Sequence, residues 1–501
     1  MNSKSYIVVV AGIILAKLVG FSRDVFFANH YGTGVIADIY FQIFSIVTLV
    51  FTGIGVALQT RVIMNLNKEE NSGEERRRAY VASYIRKCAL YLFCATVVLY
   101  ALAKPLTHLL LPNITGENFE LALRLTYIML PSFMFVSIAY IISGVLQNSR
   151  VFFIPSIVSL PYNVIIIASL YIPNVSIETI GIVTTIGWFL HIVIQLPSFY
   201  RKGYRFLYRS PGEKLSKPKA DMSMWWIFIS NMMFQLCFII DKASVSGDVG
   251  MTSTLNYASN LFVTISSVFV VAMSSVVFPA LSANYEEGNI DYVRELIGYV
   301  ILVMFAVFVP FLLVVTLFGE QIIGIVYEHG EFTRESTVAT AAAFIIYSLG
   351  ILGYVAQELI NKVMYLASKY IWTIAGTVTV VLAKIILDKL FVPTYGTTFA
   401  AVSTTVLLTL YAVMAFTVLR SIVGSYLSKS VLVGIAKVLL SGGAALAVYF
   451  ILKLAVPGIV TSRGIAFVIP ILVCGVVYIA AVIALGLHRV LLKNPKRKVS
   501  E

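Results

Sequence analysis

Residues 14–42, ILAKLVGFSRDVFFANHYGTGVIADIYFQ, set Lys17, Arg23, Asp24 and Asp38 inside a strongly apolar stretch. A charge at bilayer depth costs roughly 2.5–3.5 kcal/mol. Such residues persist where they meet water, a ligand or one another. Arg23 offers a planar fork that matches phosphate oxygens, and Lys17 acts as a point charge. Asp24 shares a face with Lys17 and is expected to pair with a neighbouring helix. The arrangement predicts one wall of a wet, cationic cavity suited to an anionic substrate.

Three further groups belong to the same chemistry. Asp38, Gln42, Ser45, Thr52 and Gln59 follow at spacings of four, three, seven and seven, which puts them on one helix face. Asn256, Asn260, Thr264 and Ser267 form a similar stripe without a cation. Lys242 shares a face with Asn231 and Gln235, with Asp241 beside it. Asp241, Lys384 and Asp388 are read as a cluster in the second half that binds or replaces a coupling cation. Sodium, a proton or the membrane potential is the expected driving force.

Covalent chemistry is not indicated. The five histidines lack metal-ligand spacing, and no G-x-x-x-x-G-K-[ST] run occurs. No cofactor and no enzymatic activity are expected. The four cysteines fall in apolar runs and are read as buried small hydrophobes.

The elements that position these residues follow from composition. Of 501 residues, 59% are hydrophobic and 12% charged, against about 25% charged in soluble proteins. The fold class is therefore an all-α polytopic membrane protein. Spans are expected at 6–29, 36–64, 80–103, 122–146, 152–172, 179–200, 223–246, 254–281, 296–318, 337–364, 370–392, 397–420, 430–454 and 464–488, about fourteen helices. The net charge of +13 is assigned to loops on the cytoplasmic side rather than to nucleic-acid binding. That bias puts both termini in the cytoplasm, with anionic lipids as partners of the basic loops.

The basic linker 201–222 divides a first lobe, 1–200, from a second, 223–421. The connectors NLNKEENSGEERRRAYVASY and ALSANYEEGNIDYVRELIGY recur in the two blocks, which predicts a parallel repeat. Residues 430–488 add a helix pair, and 489–501 form a basic tail.

The run KLVGFSRDVFFANHYGTGVIADIYF resembles the opening of MurJ-type (MviN family) lipid II flippases. These share a superfamily with polysaccharide flippases and MATE exporters. The likeness recurs at VVFPALSANYEEGN, YEHGEFTRES and ISGVLQNSRVFFIPS. It implies transfer of an undecaprenyl-pyrophosphate-linked glycan, first of all lipid II, across a bacterial cytoplasmic membrane by alternating access. Cell-wall synthesis proteins are then possible partners, and a monomer is expected.

In the family pattern Lys17 and Arg23 match the cationic cavity positions, with Lys17 where an arginine is usual. Asp24 and Asp38 fit the pattern. Asp241 stands where many members have an acidic or amide residue. The last two helices are expected to help form a groove for the lipid tail. Two departures stand out. The second helix has only Phe51 and Thr52 where a basic residue is common. In the eighth, Tyr257-Ala258-Ser259-Asn260 lacks the usual arginine. The alternatives are another lipid-linked polysaccharide unit or an ion-coupled MATE-like exporter of small molecules.

Overall fold

The computed structural model describes residues 3–68, 73–208, 223–273, 277–367, 369–456 and 467–491. The linker beyond 208, the tail beyond 491 and the side chain of Asn231 lie outside the described residues. Helix covers most of the described residues in each expected span, and no strand occurs among the described residues. Eight helices there are long and apolar enough to cross a membrane, or nine if Arg334–Leu349 and Ile351–Leu366 count as one bent span. Leu109, Tyr91, Leu390 and Leu472 are among many large apolar side chains left exposed. Such an exterior suits hydrocarbon, and the chain is a multi-pass membrane protein.

The chain begins with α1 (Ser3–Tyr31) and α2 (Val35–Ser45). A π-helical turn, Ile46–Phe51, joins α2 to α3 (Thr52–Lys68). Next come α4 (Glu74–Ala101), α5 (Ala103–Leu110), α6 (Gly116–Met129) and α7 (Ser132–Asn148). Pro131 separates α6 from α7. The first lobe continues with α8 (Phe153–Ser156), α9 (Leu160–Leu170), α10 (Ile177–Val193) and α11 (Leu196–Arg201). Then come α12 (Ser223–Ser244), α13 (Met251–Ala272), α14 (Phe278–Glu286), α15 (Ile290–Tyr327), α16 (Arg334–Leu349) and α17 (Ile351–Leu366). Last are α18 (Tyr370–Val423), α19 (Lys429–Ala455) and α20 (Val468–Ala484). Side-chain caps fix several starts: Ser176, Asn289, Thr333 and Ser428 each accept a backbone N–H three residues on.

Contacts divide the chain into two compact units, 1–256 with 329–332, and 257–328 with 333–501. The sequence placed the division at 201–222. Instead α12 groups with the first unit, because α2 is bonded to it. Gln42 Nε2 donates to the carbonyl of Ile239, and Lys242 Nζ donates to Ser45 Oγ. Within the second unit α19 and α20 pack on α15 through Phe318, Tyr449, Phe467 and Tyr478. Tyr478 Oη donates to the Ala306 carbonyl at 2.7 Å. The cysteine expectation holds for Cys237 and Cys474 only. Cys94 is exposed and Cys88 half-buried on α4.

Each unit contains the same clasp. In the first, Gly203 follows α11 with φ +80°, and a methyl added there would meet the Arg78 guanidinium at 2.8 Å. In the second, Gly424 ends α18 with φ +84°, and the same methyl would meet the Arg294 guanidinium at 2.8 Å. Arg78 pairs with Glu74, and Arg294 with Asp291, each within the first turns of its helix. A residue with positive φ is needed after the preceding helix, and a methyl there would also push aside the end of the arginine side chain. Gly203→Ala and Gly424→Ala should each lower stability by about 1–2 kcal/mol. Thermal unfolding of the purified protein measures this, and an unchanged midpoint for both would refute it.

Candidate functional site

Arg23 lies on the side of α1 that packs against α9. Its side chain is 11% exposed. Nε and Nη2 donate to Asp24 Oδ1 at 3.0 and 2.6 Å. Nη1 donates to Tyr162 Oη at 2.9 Å and to Asn163 Oδ1 at 3.3 Å. The amide of Asn163 is oriented by its own donation to the Ser159 carbonyl, which leaves Oδ1 turned to the guanidinium. The plane of charge also sits 4.9 Å from the Phe44 ring centroid and 5.6 Å from that of Tyr162. Asp24 thus pairs with its chain neighbour Arg23, where the sequence suggested a neighbouring helix. The adjacent carboxylate reaches the guanidinium first. A phosphate approaching Arg23 meets a charge already shared, and must displace or add to these partners.

Lys17 is exposed, beside exposed Ile14, Leu15 and Leu18. The two α1 cations therefore differ: one is braced among aromatic and polar groups, the other is open.

The polar stripe of α2 is nearly all buried, and its work is specific. Asp38 Oδ2 accepts the N–H of Gly250, and Oδ1 accepts that of Ser253, both at 2.6 Å. A carboxylate from α2 therefore caps the start of α13, where orphan N–H groups and the helix dipole favour negative charge. This is a structural use of a residue that the sequence assigned to substrate. Gln42 is also committed, with Nε2 donating to the carbonyls of Leu110 and Ile239. Ser45 donates to the Phe41 carbonyl at 2.6 Å and receives Lys242 Nζ. Lys242 also donates to Asn256 Oδ1 at 3.2 Å. Lys242 is 3% exposed, next in the chain to buried Asp241.

Two features here escaped the sequence. One is Tyr162 with Asn163, which hold Arg23 from 139 and 140 residues away. The other is the π turn that begins directly after Ser45. An extra residue in one turn re-aims the side chains that follow, and such turns are frequent at functional sites. Thr52 Oγ donating to the Val47 carbonyl, five residues back, is its local signature, and hydrophobic periodicity does not contain it.

In the second unit, Lys384 and Asp388 form a buried cluster. Lys384 Nζ donates to Asp388 Oδ1 and Oδ2 at 2.6 and 2.5 Å, to Ser403 Oγ at 2.7 Å and to the Ala400 carbonyl at 3.0 Å. Ser403 in turn donates to Asp388 at 2.8 Å. The cluster bridges the two halves of α18 across Gly396, whose φ of +60° breaks the helix. Asp241, expected in the same cluster, belongs to the first unit. Asn260 is half-buried on α13. No group of three or more His, Cys, Asp or Glu suited to a metal occurs among the described residues.

A family model described as lipid II flippase MurJ matches residues 27–473. The lipid II flippase MurJ of Burkholderia cenocepacia is 23% identical over 416 residues, covering 79% of this chain and 80% of its own. A solved structure of lipid II flippase MurJ in an inward closed conformation superposes with a TM-score of 0.79 at 22% identity, covering 97% of this chain and all of the other. An inward-facing multidrug MATE transporter of the MOP superfamily gives a TM-score of 0.63 at 12% identity, covering 83% of this chain and 98% of its own. Both structural likenesses concern the fold.

Proposed function

The chain belongs to the lipid II flippase MurJ family, and on that premise we propose that it moves lipid II from the inner to the outer leaflet by alternating access. The match across 27–473 carries this reading. A sugar-diphosphate head cannot enter hydrocarbon alone, because its polar groups would lose water without gaining partners. The protein must offer replacement partners at depth, and the membrane then acts as the fence that keeps the tail outside.

We assign the diphosphate to Lys17, Arg23 and Lys242, with Ser45 and Asn256 as hydrogen-bonding neighbours. Lys242 answers the departure noted in the second helix. Its ammonium meets Ser45 of α2, so α12 supplies a cation that α2 lacks. Asp24, Asp38 and Gln42 act as positioning residues. Asp24 aims the guanidinium, Asp38 holds the head of α13, and Gln42 ties α2 to α5 and α12. The tail is assigned to a narrow apolar cleft between α15, α19 and α20, lined by Leu313, Leu317, Leu446 and Tyr478. The protein is placed in the bacterial cytoplasmic membrane with both termini cytoplasmic, following the loop charges. The membrane potential or a coupled ion drives the cycle.

The test is rescue of a cell depleted of its own flippase, read by the outer-leaflet accessibility of lipid II. Wild-type protein should restore it. Lys242→Met should reduce it at least about tenfold, the loss of one charge-assisted contact, with membrane insertion unchanged. Failure of the wild type to rescue sinks the function. Full activity of Lys242→Met sinks the role given to that cation.

A further inference from the structure

Both units carry a cavity beside the arginine–glycine clasp, and the two differ in charge. The cavity of the first unit has a volume of about 340 Å³ and is lined by Glu74, Arg77, Arg78, Arg150, Lys202 and Tyr204, among others. Four cations face one carboxylate. The cavity of the second unit, about 470 Å³, has Arg294 in company with Asp291 and Glu295. The clasp itself needs one arginine in each unit, so it accounts for Arg78 and Arg294. It accounts for none of Arg77, Arg150 and Lys202.

Three details point to an anion. Arg77 spends Nη2 on Asn148 Oδ1 at 2.6 Å, yet its buried Nε has no hydrogen-bond partner among the described residues. Arg150 follows the end of α7 with φ +60°, a left-handed position that glycine or asparagine fills at lower cost. An arginine there sets its charge on the rim. The cavity also takes in the first turn of α4, a 28-residue helix whose N-cap, Gly73, offers no side-chain cap. The N–H groups of such a turn favour negative charge.

We propose that this cavity binds a phosphate-bearing anion. The chemistry is that of an anionic lipid headgroup or of free diphosphate, and 340 Å³ is ample for either head. None of the lining residues belongs to α1, α2 or α12, so the site stands apart from the cations assigned to transport. It does not depend on that assignment. Arg77 and Arg78 form the inner wall. Arg150 and Lys202, both exposed, guard the mouth. Glu74 pairs with Arg78 at 2.5 Å and so competes with an anion for it.

Full-length protein in neutral detergent provides the test, by native mass spectrometry and competition. The probes are phosphatidylglycerol, phosphatidylcholine and inorganic pyrophosphate. Wild type should retain phosphatidylglycerol, pyrophosphate or both, and should retain phosphatidylcholine far less. Phosphatidylglycerol alone identifies a lipid headgroup, and displacement of it by pyrophosphate identifies a site for free phosphate groups as well. Arg150→Gln/Lys202→Gln should weaken binding at least about tenfold. Glu74→Gln should tighten it several-fold, a gain that misfolding cannot mimic. Equal binding by wild type and the double variant, or no binding of either anionic probe, overturns the proposal.

Discussion

Arg23→Ala should cut the outer-leaflet appearance of lipid II by about 100-fold or more, the size of two lost charge-assisted hydrogen bonds. The measurement is lipid II accessibility in flippase-depleted cells, normalised to inserted protein. The single variant has a second consequence. Asp24 is 5% exposed, and removal of the Arg23 guanidinium takes from this buried carboxylate the countercharge 2.6 Å away. Breaking such a pair costs about 3–5 kcal/mol. Lost flipping would then have two explanations. Arg23→Gln/Asp24→Asn separates them, because neutralising both members of a buried pair is nearly neutral in stability. The double variant should melt close to wild type and still fail to flip. Recovery of flipping in the double variant would mean that Arg23 serves only to hold Asp24, and the substrate role would fall.

The pairing also explains how far the site was legible in the sequence. Charges at bilayer depth are visible in one dimension, so Lys17, Arg23, Asp38, Lys384 and Asp388 stood out as needing partners. The partner itself is visible only when it is local. Lys384 and Asp388, four apart, could be paired on a helix face, and they are paired at 2.5 Å. Asp38 finds its partners 212 and 215 residues away, in the N–H groups of Gly250 and Ser253. A carboxylate that caps a distant helix looks, in sequence, like one that lines a cavity. Both are acidic residues on the polar face of an amphipathic span. The fold was more legible than the site, because span length and loop charge are one-dimensional quantities. The lobe division was less so. The linker marks where the chain is polar, whereas the contacts of α12 depend on Gln42 and Ser45 across the first unit.

Lys384→Met should destabilise the protein by about 3–5 kcal/mol, which thermal unfolding in detergent would register as a large fall in midpoint. Four acceptors meet the ammonium, and the side chains of Lys384 and Asp388 are 0% and 1% exposed. Removing the cation takes from buried Asp388 the countercharge of Lys384 and leaves the Ser403 hydroxyl to serve both Asp388 and the Ala400 carbonyl, in a place water does not reach. Lys384→Met/Asp388→Leu should recover most of the loss, since apolar packing often replaces a buried pair at little cost. The same cluster bears on coupling. The ammonium is held by two carboxylate oxygens, a carbonyl and a hydroxyl. These are oxygen ligands of the kind that hold hard cations. Removal of the ammonium should open this set of oxygens to a hard cation. Lys384→Ala should then be stabilised by sodium in a concentration-dependent way, while wild type is not. A midpoint of Lys384→Ala that ignores sodium leaves the cluster as a staple across the Gly396 break and removes it from the coupling scheme.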